Sequence, residues 1–146
     1  MGSMNLGIYT TTLADSEQLE KVSQYLNNSV DSNRWSDVSL FYNDIGFNPF
    51  QIKCGMFNST DLWNFKGKLI VSSLECVVKA SNIVNNIEIY YYYGWEKRPA
   101  VLDTLFVLNN KIKILCRNDD DASFIYRTTG QKPIAVADNY QLIEII

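Results

Sequence analysis

Three adjacent carboxylates, Asp119, Asp120 and Asp121, are the residues of this chain most suited to holding a divalent cation, because neighbouring aspartates offer hard oxygen ligands. They also precede an apolar-periodic stretch, where acidic groups cap a helix and complement the positive end of its dipole. Capping is the preferred reading, and no metal site is assigned. Serine and threonine are plentiful, but the chain has no histidine. A Ser-His-Asp arrangement is therefore impossible, and the commonest general base is missing. The three cysteines, Cys54, Cys76 and Cys116, are far apart, form no C-x-x-C and sit in apolar runs. They read as buried free thiols of a reducing, cytoplasmic protein. Neither G-x-G-x-x-G nor G-x-x-x-x-G-K-[ST] occurs. No catalytic residue and no cofactor are assigned.

Placing the remaining polar and aromatic groups requires the elements that carry them. Residues 67–95 read as strand, helix, strand. Residues 68–72 form an apolar run, and Ser72-Ser73-Leu74-Glu75 looks like a helix start in which Ser72 accepts from the first turn and Glu75 reaches back. Leu74, Val77, Val78, Ser81 and Val84 recur at helical spacing over about 12 residues, and Asn85-Asn86 stops the run. Residues 87–93 then resume in β-branched and aromatic types before Gly94. Two strands joined by a helix of this length predict a parallel βαβ crossover.

The same alternation extends along the chain. A first strand is expected at residues 6–10, a loop at Thr10, Thr11 and Thr12, and then a helix capped by Asp15 or Ser16 with Leu19, Val22, Leu26 and Val30 on one face. Trp35 leads into a strand over residues 38–42. A turn-rich loop follows at residues 43–49. The period of two through Phe50, Ile52, Cys54 and Met56 predicts an edge strand. Asn58 to Asp61 caps a short helix through Phe65 that Gly67 ends. Pro99 opens a helix with Val101, Leu102, Leu105 and Phe106. Strands at residues 111–116 and 133–137 flank a helix from Asp119 closed by Gly130, and Asp138 caps a terminal helix with Leu142, Ile143 and Ile146.

These elements predict a single three-layer α/β domain, Rossmann-like or flavodoxin-like, over residues 4–146, with a mostly parallel sheet of about six or seven strands. Met1-Gly2-Ser3 ahead of Met4 reads as a tag remnant. With 146 residues, 47% of them hydrophobic, one domain with a sizeable core is the natural expectation. The 13 Lys and Arg are scattered and the net charge is −3, which argues against nucleic-acid binding. No long apolar span suggests a membrane partner. The abundance of asparagine, isoleucine, lysine and tyrosine matches proteins of AT-rich genomes, many phages among them.

In a sheet of this kind ligands bind beyond the carboxyl ends of the strands. The candidate ligand-binding residues are accordingly Thr10, Thr11, Thr12, Ser72, Ser73, Gly94, Trp95 and Asp138. Backbone N–H groups at a helix start near Ser72-Ser73 suit an anion, and Lys97-Arg98 is a candidate phosphate grip. The run Tyr90-Tyr91-Tyr92-Tyr93 sends two rings to each face, as core packing requires. Its alternative is an aromatic interaction surface built from Tyr92, Tyr93 and Trp95, with Phe47 in a second apolar patch.

Ile8-Tyr9-Thr10-Thr11-Thr12 resembles the start of one lobe of a two-lobed (GT-B type) glycosyltransferase. Residues 126–144, with a short helix, a glycine, a Pro-Ile strand and an acidic-capped helix, resemble such a lobe as well. The similarity covers about a third of the chain, which has room for one lobe where the family uses two. The resemblance implies a lone lobe that has kept the scaffold and lost transfer activity. Two functions are thus expected. The first is a non-catalytic binding or interaction module, a small viral or phage accessory protein with a protein partner or self-association. The second is a glycosyltransferase-like protein that binds a nucleotide or nucleotide-sugar at the crevice.

Overall fold

The computed structural model describes residues 5–12, 16–32, 34–82, 87–95 and 112–141. Several expected features lie outside them: the Asp15 cap, Val84 with the Asn85-Asn86 stop, Lys97-Arg98, the helix after Pro99, and the terminal helix at Leu142, Ile143 and Ile146. Seven strands form one sheet: β1 (Asn5–Thr12), β2 (Asp37–Asp44), β3 (Gly55–Asn58), β4 (Gly67–Val71), β5 (Ile87–Tyr93), β6 (Lys113–Cys116) and β7 (Ala135–Val136). The helices among the described residues are α1 (Glu17–Asp31), α2 (Leu74–Ser81), α3 (Asp119–Thr129) and a 3₁₀ turn, Ser59–Asn64. Every strand pair is parallel, and the spatial order is β3-β2-β1-β4-β5-β6-β7. That is the doubly wound Rossmann-like order; a flavodoxin-like sheet would place β2 at the edge and β3 beside β1.

Period-two alternation divides the core into two. Leu6 and Ile8 of β1, Leu40 of β2, Ile70 of β4 and Tyr90 and Tyr92 of β5 pack against α1 through Leu19, Val22 and Leu26. Tyr9, Phe41, Leu69, Val71, Tyr91 and Tyr93 face α2 and α3 through Val77, Ala80 and Ile125. The apolar stripe of α1 tolerates two serines because Ser23 and Ser29 donate to the carbonyls of Leu19 and Tyr25, at 2.8 Å each. Such local bonding satisfies a buried hydroxyl without a second element. Helix α3 has the expected ends. Asn118 accepts from the N–H of Asp121 at 2.8 Å, and Gly130 turns left-handed at φ 73°.

Local departures from the sequence expectations have identifiable causes. Thr10, Thr11 and Thr12 belong to β1, not to a loop, because β2 continues beside them as far as the pair Thr12–Asp44. The extended stretch before β3 is not a strand until Gly55. Its inward alternation holds for Phe50, Ile52 and Cys54, but the amide of Asn27 takes the place of a neighbouring strand. It donates to the Gln51 carbonyl and accepts from the Lys53 N–H, both at 2.8 Å. Helix α2 starts one residue later than expected. Ser73 is its N-cap and makes no side-chain cap bond, and the Ser72 hydroxyl, the expected cap, accepts from Gln18 instead. It ends at Ser81 with Asn82 as C-cap, shorter than the 12 residues the periodicity suggests.

Gly67 does not end the 3₁₀ turn, which closes at Asn64. It opens β4 at φ 140°, and a Cβ there would sit 2.4 Å from the Asn5 carbonyl oxygen. Only glycine allows β4 to approach β1 at this entry. The last strand is regular over two residues, not five. Bonds from Ile134 to Ile114 and from Ala137 to Cys116, each 2.9 Å, continue its pairing at either end.

Candidate functional site

Strand β1 runs into α1 and on to β2 in one direction, while β4 runs into α2 and on to β5 in the other. The carboxyl ends of β1 and β4 therefore splay apart between two helix starts, as sheets of this order require. A cavity of about 240 Å³ lies there, lined by Thr10, Thr11, Thr12, Ser16, Gln18, Leu19, Ser72, Ser73 and Trp95. Six of the eight residues expected to bind a ligand surround this one space. Gly94 and Asp138 do not line it. Gly94, at φ 127°, turns the chain so that Trp95 reaches the cavity. A Cβ on it would meet Asp121 Oδ2 at 2.7 Å and Arg117 Cγ at 2.8 Å. Asp138 acts at one remove: it accepts from Arg117 Nε at 2.6 Å, and that guanidinium lies 3.5 Å from the centre of the Trp95 ring.

Among the described residues the cavity wall is polar and carries no charged side chain. Both flanking helices aim their positive ends at it. Ser16 caps α1 by accepting from the Leu19 N–H at 3.1 Å, while Ser73 leaves its hydroxyl out of any cap bond. Partial positive charge from two helix starts favours an anionic or strongly polar occupant. Gln18 spans the gap between the two sheet halves. Its Nε2 donates to Ser72 Oγ at 2.5 Å and to the Tyr140 hydroxyl at 3.1 Å.

Behind Gln18, Ser72 and Trp95 lies an aromatic cluster. Tyr140 packs edge-on against Tyr92, with centroids 4.8 Å apart, and tilted against Trp95 at 5.4 Å. Burial pushes the Tyr140 phenol up to about 12, against the opposing pull of Gln18, Ser72 and Arg117. Burial also raises the Cys76 thiol, whose sulfur lies 3.9 Å from Thr11 Oγ1. These groups stay protonated at neutral pH. They can donate hydrogen bonds but do not serve as bases.

Other expected features occupy different places. Tyr92 and Tyr93 are 0% and 1% exposed. They are core residues, one on each side of the sheet, and form no surface platform. Phe47 is 78% exposed, as is Ile45 in the same loop. Asp119 and Asp120 are exposed in the first turn of α3, and no group of three or more His, Cys, Asp or Glu among the described residues could hold a metal ion. No helix among the described residues is long and apolar enough to cross a membrane.

Sequence reasoning missed Gln18, Leu19 and Tyr140 as parts of this region, whereas Arg117 stands at a strand end that the sequence already places along the crevice edge. Gln18 had a usable signal, since a first-turn residue of the helix after β1 must face the carboxyl edge. Tyr140 had none, because its place depends on a turn far along the chain. Comparison with protein-family models, with curated proteins and with solved structures found no match to this chain.

Proposed function

We propose that this protein is an α/β binding module whose crevice between β1 and β4 holds a nucleotide or nucleotide-sugar. The observation that carries the reading is the convergence of six hydroxyl-bearing residues, two helix starts and Trp95 on one cavity at the point where the strand order reverses. Hydroxyls and backbone N–H groups suit phosphate and sugar oxygens, and an indole suits a ring. The reading is one of binding: the nearby phenol and thiol are held protonated, and the groups in the wall are donors and acceptors. Kinship with a glycosyltransferase lobe would favour the sugar-bearing form of such a ligand.

A thermal-melt panel of nucleotides and nucleotide-sugars, with and without Mg²⁺, tests this. A ligand at 100 times its dissociation constant adds about 2.7 kcal/mol, which raises the melting temperature by roughly 5–10 °C in a chain of this size. A flat panel removes the reading.

A second reading, docking of a protein partner, rests on the β2–β3 side of the sheet. There Ile45 and Phe47 are each 78% exposed, and Met56, Phe57 and Trp63 are exposed around the edge strand β3. An open strand edge with apolar neighbours is a surface that another chain can extend. Affinity capture with Phe47→Ser as the comparison discriminates it, since loss of a partner in the variant places the contact on this loop.

A further inference from the structure

The 240 Å³ crevice is smaller than the roughly 300–1,000 Å³ of pockets that enclose ligands of nucleotide size. Behind its wall, on the α1 side of the sheet, stands one buried aromatic side chain that does not itself line the cavity. Tyr140 is 2% exposed and stands directly behind Gln18, Ser72 and Trp95, three residues of the cavity wall. Its phenol already makes the contacts a planar ligand ring would make. Trp95 and Tyr92 pack on its faces and edge, and Gln18 donates to its oxygen.

The turn that delivers Tyr140 is under backbone strain. Asn139 and Tyr140 adopt φ 54° and 58° in succession. Asparagine tolerates the left-handed region, but tyrosine does so poorly, and such residues persist only where their surroundings hold them. The Trp95 indole N–H is buried with no hydrogen-bond acceptor among the described residues, a cost that native structures seldom carry unexplained. Against these costs stand, among the described residues, the Arg117–Asp138 ion pair, the Gln18 bond and the Tyr140 N–H on Tyr92 Oη at 3.3 Å. To these are added the Asn139 N–H on Asp138 Oδ1 at 2.8 Å, the Gln141 N–H on the Asp138 carbonyl at 3.0 Å, and ring contacts with Tyr25, Tyr92 and Trp95. Asp138 itself is half-exposed, so water competes for the pair.

We infer that residues 138–140 form a displaceable plug, with Tyr140 occupying the ring position of the crevice until a ligand ring takes its place. The inference rests on the crevice reading for the ligand, but the motion of the plug is independent of it. When the turn swings out, the space behind Gln18 and Ser72 joins the existing cavity. Trp95 and Tyr92 are then left facing a planar ring whose acceptor edge meets the Gln18 amide.

Nitration of the whole chain by tetranitromethane, mapped tyrosine by tyrosine, tests the plug. Tyr140 and Tyr92 are equally buried, so global unfolding exposes them together, whereas local opening exposes Tyr140 alone. The expected result is Tyr140 modified at least about fivefold faster than Tyr92, with the ratio rising further in Asp138→Asn. Equal rates in both proteins would overturn the plug. Titration with UMP reads the ligand separately. Binding about tenfold tighter to Tyr140→Ala than to the parent supports the plug, as removal of a competing conformer requires. Weaker binding to that variant overturns it, because Tyr140 would then be holding the ligand. Binding to neither protein rejects the nucleotide reading, and the nitration ratio still decides the plug.

Discussion

Arg117 and Trp95 form a stacked pair across two strand ends, with the guanidinium carbon 3.5 Å from the centre of the indole ring. The same guanidinium donates through Nε to Asp138 at 2.6 Å. One side chain just past the end of β6 thereby fixes Trp95, two residues after β5, to the turn after β7. A cation over an indole contributes about 0.5–2 kcal/mol, more where water is excluded. Arg117→Met keeps most of the apolar stem and removes the charge. Its expected cost is about 1–2 kcal/mol in urea unfolding, together with a changed Trp95 emission. An unchanged unfolding midpoint would show that the stack holds nothing.

Gly67 and Gly130 both have positive φ, yet substitution should affect them unequally. A Cβ at Gly67 meets the Asn5 carbonyl oxygen at 2.4 Å, while at Gly130 it meets nothing within 4 Å. Gly130→Ala bears only the left-handed backbone penalty, about 1 kcal/mol. Gly67→Ala adds a clash with backbone that cannot rotate away, and should cost at least about 3 kcal/mol or prevent folding. Parallel urea titrations of the two variants check the ranking.

Much of this architecture was legible because periodicity reports which face a residue belongs to. The stripe Leu19, Val22 and Leu26 and the alternation of Tyr90 to Tyr93 each identify a buried face, and Asn118 with Gly130 marks the ends of α3. Periodicity does not report which strand is the neighbour. The β1–β4 pairing that opens the crevice joins residues about sixty positions apart, and no local pattern encodes it. The polar contacts that shape the site are similarly distant. Gln18 meets Ser72 and Tyr140, and a capping pattern alone suggested a different use for Ser72. The expected edge strand is present as β3, but it begins only at Gly55 and not at residue 50, for a related reason. Extended backbone needs a partner for its N–H and C=O groups, and here a single asparagine, Asn27, served as that partner.

Thr11 and Ser73 stand on opposite sides of the crevice, at the end of β1 and the start of α2. Among the described residues neither hydroxyl holds a strong internal bond: Thr11 Oγ1 lies 3.9 Å from the Cys76 sulfur, and Ser73 makes no cap bond and interacts with the same thiol. Replacing both with alanine should therefore change stability by less than about 1 kcal/mol. The melting shift given by a nucleotide that stabilises the parent should fall at least about tenfold in ligand concentration, since each lost hydrogen bond to a charged group costs about 1.5–3 kcal/mol. A shift retained at the same concentration would place the ligand elsewhere.

Stability should fall at both ends of the pH range, for different residues. The Lys113 ammonium holds the Glu88 carboxyl below its ordinary value, and Arg117 does the same for Asp138. A lowered folded pKa means that the unfolded chain binds protons first as the pH drops. Each pair contributes fully above about pH 4–4.5 and is lost as the pH falls through the folded value. Tyr9, Tyr25 and Tyr140 act in the opposite sense, since burial pushes each phenol up to about 12. Their burial stabilises fully below about pH 10, and above it the unfolded chain gains by losing protons that the folded chain keeps. Burial also raises the thiols of Cys54, Cys76 and Cys116 above the usual thiol value. Urea midpoints should thus be flat from about pH 5 to 8 and decline on either side, the thiols acting first on the alkaline side. The double variant Glu88→Gln, Asp138→Asn should lower the plateau and flatten the acid limb while leaving the alkaline limb in place. An acid limb as steep as the parent's would assign acid sensitivity to other carboxylates.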